Sequence, residues 1–150
     1  MRNAFKLIYN FIFKTRRRGL TVKAIFYAAV ARFRVFFFPG NRLHRYLGEM
    51  GAETGTEAPG IDESRSIAIV SRRVKRVAAR LPWESKCLVQ GMVAQRLLRD
   101  YGMSSTLYLG VGRDKDDNDK MTAHAWVRCG PYSVSGGNGE GYAAVAKFRM

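Results

Sequence analysis

Two residues of this sequence have the types and the order that nucleophilic chemistry needs: Cys87, followed by His124. A cysteine thiolate attacks carbonyl carbon, and an imidazole can take the thiol proton and later return it to a leaving amine. Cys87 falls two or three residues past a predicted helix cap at Glu84 or Ser85, with Lys86 beside it. Helix N-termini carry unpaired N–H groups and partial positive charge, which favour a thiolate and can receive an oxyanion. The competing reading of Cys87 is a buried thiol packed like a small apolar side chain. His124 lies in Thr-Ala-His-Ala-Trp-Val-Arg (122–128), which reads as a strand. Period-two geometry puts Thr122, His124, Trp126 and Arg128 on one face and Ala123, Ala125, Val127 and Cys129 on the other. The second histidine, His44, belongs to a basic segment.

The elements that must position this pair follow from the spacing of apolar residues. Ile67, Val70, Val74, Val77 and Leu81 recur at three- and four-residue steps, and Pro82 ends the run, so a helix is predicted from Asp62 onward. A second helix carries Cys87, Leu88, Gly91, Ala94, Gln95 and Leu98 and stops at Tyr101-Gly102. The period then changes to two. Strands are predicted over 105–112, 122–129, 132–135 and 142–148, joined by Gly-Pro and Gly-Gly-Asn-Gly turns and by an acidic loop over 113–120. Helices first and an antiparallel meander after them make an α+β fold.

Residues 1–47 form a basic, aromatic-rich helical segment, residues 48–61 a Gly-, Thr- and Glu-rich flexible linker, and residues 62–150 the domain that would carry the chemistry. The formal net charge is +14, and residues 1–50 hold eleven of the 26 basic groups against one acid, Glu49. That field attracts anionic surfaces. The apolar stretch 5–13 gives way to Lys14 and Arg16-Arg17-Arg18, and the longer stretch 20–38 is broken by Lys23, Arg32 and Arg34, too often for a spanning helix, so it reads as amphipathic, docked on the domain or lying on a membrane surface. No clean signal peptide is visible, and two cysteines fit a reduced, cytoplasmic setting. No nucleic-acid motif accompanies the charge, so specific nucleic-acid binding is not expected.

Three segments carry a resemblance: Cys-Leu-Val-Gln-Gly-Met-Val-Ala-Gln-Arg-Leu-Leu-Arg-Asp-Tyr-Gly-Met (87–103), Leu-Tyr-Leu-Gly-Val (107–111) and Ala-His-Ala-Trp-Val (123–127). They resemble the leader peptidases of lasso-peptide biosynthesis, the C-terminal-domain family of the microcin-processing proteins within the transglutaminase-like superfamily. The likeness covers roughly residues 62–148. It implies a papain/transglutaminase-like α+β fold, N-terminal helices packed on a small antiparallel sheet, with Cys87 as nucleophile and His124 as base. It also implies removal of the leader from a ribosomally made precursor peptide, alongside a separate leader-recognition protein and a cyclase. The sequence departs from the family at the third triad place. An Asp is usual about a dozen residues after the His, and here Gly136 stands there. Ser135 or Asn138 could orient His124 instead, with Glu140 a more distant candidate. The alternative is a catalytically weak or silent binding or scaffold protein at a membrane or partner surface.

No cofactor or metal is expected. Asp114, Asp116, Asp117 and Asp119 lack the Gly and terminal Glu of a calcium-binding loop and read as a solvated hairpin loop. Cys129, on the face opposite His124, reads as structural filler.

Overall fold

The computed structural model describes residues 18–83, 85–114 and 120–150. The acidic run 115–119, Glu84 and the apolar stretch 5–13 lie outside the described residues.

Helix α1 (Arg18–Phe37) is followed by a short helix α2 (Gly40–Leu43), a 3-10 turn (His44–Tyr46) and strand β1 (Glu49–Met50). Helices α3 (Ile61–Ala78) and α4 (Cys87–Asp100) come next, then β2 (Thr106–Arg113), β3 (Met121–Cys129), β4 (Tyr132–Ser135) and β5 (Tyr142–Arg149). The sheet order is β1-β5-β2-β3-β4 with every pairing antiparallel. The fold is therefore α+β, and the predicted strands agree with the observed ones to within a residue or so. The meander is a correction. β2, β3 and β4 form one, but β5 returns to the far side of β2 and seats between it and β1.

α3 forms where the sequence supplies both its ends. The Glu63 carboxylate accepts from the Gly60 N–H at 3.0 Å, Asp62 and Glu63 occupy the first turn, and Lys75 and Arg76 the last. Its buried side is Ile67, Val70, Val74 and Val77, the predicted stripe. α4 is apolar nearly all round, with Val89, Met92, Val93, Ala94, Leu97 and Leu98 buried, because it lies between the other helices and the sheet. Gly91 lets the helix backbone approach: a side chain there would run into Leu107 and press on Val127. Buried Gln95 donates through Nε2 to the Phe148 carbonyl at 3.2 Å, tying α4 to β5.

α1 docks through small residues. Thr21, Ala24, Ala28 and Ala31 are buried, so two helix backbones come close without large side chains between them. Lys23 pairs with Asp100 at the end of α4 at 2.9 Å, and the Tyr27 hydroxyl donates to the same carboxylate.

Residues 48–61, expected as a linker, are laid along the sheet. β1 pairs with β5, and Thr54 donates its N–H to Thr106 Oγ1 at 2.8 Å. Glu53 meets Arg128 of β3 and Lys147 of β5, each at 2.7 Å, and accepts from the Tyr108 hydroxyl. Lys147 and Tyr108, followed by the Arg128 charge, hold the Glu53 carboxyl down at about 2, against an ordinary 4.5. A carboxyl depressed in this way stabilises the fold while ionised. The contribution is complete above pH 4.5 and is lost as the pH falls through about 2. Glu53→Gln should therefore lower the urea midpoint at neutral pH and flatten its fall below pH 4.5. With 38% of the Glu53 side chain exposed, solvent screens the pairs and limits the loss to about 1 kcal/mol.

Candidate active site

Cys87 is the first helical residue of α4, and its N-cap is Lys86, with no side-chain cap. The expected cap at Glu84 or Ser85 thus shifts by a residue or two, and Cys87 sits nearer the terminus than predicted. The first intrahelical bond runs from the Gln90 N–H to the Lys86 carbonyl at 3.1 Å. The N–H groups of Cys87, Leu88 and Val89 precede it, as the opening turn of any helix requires. Gln90 also donates through Nε2 to the Ser85 carbonyl at 2.7 Å, which pins the chain entering the helix. Cys87 is partly buried, its thiol is free, and it packs against the helix-side core.

The direction of α4 across the sheet follows from two contacts. Gly91 lies over Val127 and Leu107, on β3 and β2, and Gln95 reaches Phe148 on β5. Cys87, one turn before Gly91, therefore lies toward β4. In the register Ser135 pairs with Val127, so Ser135 occupies that same side of the sheet. It is buried, and its Oγ has no hydrogen-bond partner among the described residues.

His124 sits on β3 beyond the last residue paired with β4, where β3 is bordered by the glycine-rich turn. Its ring Nε2 is 2.6 Å from the carbonyl oxygen of Gly136. A carbonyl only accepts, so Nε2 carries a proton, and in the neutral ring Nδ1 keeps the lone pair. The ring is tilted against Tyr142 at 4.8 Å and roughly parallel to Trp126 at 6.2 Å between centroids. Trp126 in turn stacks on Tyr108 at 5.4 Å and 8°. Glycines make room for this aromatic row: side chains at Gly110 and Gly139 would strike the Trp126 indole.

Ala125 and Val127 belong to the core beneath the helices, and His124 alternates with them, facing Trp126 and Tyr142. Cys87 and His124 are joined by no hydrogen bond among the described residues. The bond that holds His124 comes from the Gly136 backbone, between the two side chains named from the sequence. Ser135 Oγ makes no hydrogen bond among the described residues, and Asn138 Oδ1 accepts from the Glu140 N–H at 3.1 Å within its own turn. Sequence reasoning could not nominate a carbonyl. Its one sign was the Gly-Gly-Asn-Gly run, since Gly136 adopts φ +77° and packs against Ala125 and Trp126 too closely for a side chain. Tyr142 and Tyr108 were also missed as members of the site. Cys129 is buried and donates from Sγ to the Ser104 carbonyl at 3.3 Å; burial, and then the Glu63 charge, push its thiol up and keep it protonated. Among the described residues no group of three His, Cys, Asp or Glu is placed to hold a metal.

A helix opening on a cysteine, packed on an antiparallel sheet that carries a histidine held through Nε2, is an α+β arrangement consistent with a transglutaminase-like domain. The family model of the transglutaminase-like superfamily matches residues 32–149, and the chain belongs to that superfamily. No curated protein and no solved structure gives a significant match to the chain.

Proposed function

We propose that the protein is a cysteine peptidase that removes the leader from a ribosomally made precursor peptide, with Cys87 as nucleophile and His124 as general base. The observation that supports this reading is the imidazole whose Nε2 is held by the Gly136 carbonyl, on a strand packed against the helix that opens on Cys87. In transglutaminase-like enzymes a carboxylate does this work; here a backbone carbonyl supplies the orientation without the charge. A neutral acceptor fixes the tautomer but stabilises the imidazolium less than a carboxylate would, so a slow enzyme is expected.

The reaction has two halves. His124 takes the Cys87 proton, and the sulfur adds to the scissile carbonyl. The oxygen that becomes negative is received by N–H groups of the first turn of α4. The imidazolium then protonates the departing amine, leaving a thioester that water hydrolyses with His124 again as base. Sulfur and imidazole share no hydrogen bond, so substrate binding must bring them together, and such contacts commonly tighten only in the substrate complex.

The second reading, a silent scaffold, draws on that same unmade contact and on the missing carboxylate. Incubating the chain with a lasso-type precursor, a leader-recognition protein and the cyclase, followed by mass spectrometry, separates the two. The peptidase reading expects a free leader fragment. Precursor that stays intact while bound favours the scaffold.

A further inference from the structure

Helix α1 has two apolar sides, and among the described residues only one is covered. The small side, Thr21, Ala24, Ala28 and Ala31, is buried against the domain. About half a turn round the helix, Val22, Phe26, Ala29, Phe33, Phe36 and Phe37 recur at three- and four-residue steps and form an outward stripe. Phe36 is 79% exposed, Phe26 and Phe37 each 62%, and Phe33 56%. Four exposed phenylalanines on one helix are more than single surface apolar residues account for. A groove lined by Arg32, Phe33, Phe36, Phe37 and Trp83 continues the stripe toward the loop that leads into Cys87.

Charge selects what covers this face. Helical spacing sets Arg18 and Arg32 along one flank of the stripe and Arg34 along the other, beside Lys23 in its pair with Asp100, and residues 1–48 contain no Asp or Glu. A second copy docking here would bring two strongly positive surfaces together. An anionic lipid surface neutralises the flanks while its acyl boundary takes the phenylalanines. No described helix is long and apolar enough to cross a membrane, so the geometry is that of a helix lying in the interface plane. We propose that α1 is a membrane-surface anchor that rests its phenylalanine face on anionic lipid. The Trp83 end of the groove then sets the start of α4 close to the bilayer, so a substrate would be met there.

The test is co-sedimentation of the full chain with vesicles. Phosphatidylglycerol–phosphatidylcholine vesicles should retain it at least about tenfold more strongly than phosphatidylcholine alone, as expected for a cationic amphipathic surface. The Phe33→Ser/Phe36→Ser double variant should bind the anionic vesicles at least about tenfold more weakly, with unchanged circular dichroism because both side chains are already exposed. If that variant unfolds, Phe26→Ser gives the same reading. Cys87→Ala should bind as the unaltered chain does, which keeps this result separate from any loss of activity. Absence of binding to both vesicles overturns the proposal, as does equal binding to both. So does a dimer in sedimentation velocity that the double variant abolishes.

Discussion

Replacing Cys87 with alanine should abolish leader removal while leaving the fold intact. The thiol is the proposed nucleophile, and no other described group near the start of α4 can form the thioester. Losing a catalytic nucleophile costs on the order of a thousandfold or more in turnover. Stability should change by less than about 1 kcal/mol, because a partly buried cysteine packs much as alanine does at a position that accepts no cap. Cys129→Ala is the informative contrast. That thiol is buried and bonded to Ser104, so its loss should lower stability by about 1–2 kcal/mol and leave processing unchanged. A quantitative precursor assay beside urea denaturation reads both effects. Processing that persists in Cys87→Ala would remove the catalytic assignment.

The second large effect is expected at Gly136. Its φ of +77° disfavours any residue with a Cβ, and the added carbon would strike the Ala125 carbonyl and the Trp126 backbone. The two penalties together amount to roughly 3 kcal/mol for Gly136→Ala. Gly137 separates them. It has φ +73° but open space around it, so Gly137→Ala should cost only the backbone strain, about 1 kcal/mol. Because the Gly136 carbonyl also holds His124 Nε2, Gly136→Ala should depress processing beyond what its unfolded fraction explains, and Gly137→Ala should not. Thermal unfolding and processing at a temperature where both variants are folded measure the difference. Equal effects from the two substitutions would show that the close packing at Gly136 holds nothing in place.

What could be read from the sequence was local. The Ile67–Val77 spacing marked α3, and alternation marked β2, β3, β4 and β5, because these periods follow from the geometry of single elements. Strand order was not readable. β5 pairs with β2 across 30 to 43 residues (Gly112 with Tyr142, Thr106 with Arg149), and nothing in its own composition names a partner. Residues 48–61 looked like a linker because Gly, Thr and Glu carry no period. Their order comes from Glu53 meeting Arg128 and Lys147, 75 and 94 residues away. α1 combined both kinds of signal. Its apolar character was plain, but only the structure shows that the alanines face inward and the phenylalanines outward. At the site, Cys87 and His124 were nameable as side chains with reactive atoms, whereas the Gly136 carbonyl has no residue type to announce it.

If Cys87 is a nucleophile served by His124, the rate at which its thiol is alkylated must depend on the imidazole. Peptide mass spectrometry after brief exposure to iodoacetamide near neutral pH should find Cys87 modified well before Cys129, and His124→Ala should slow Cys87 modification at least about tenfold. Labelling of Cys87 at the same rate with and without the imidazole would remove His124 as its base.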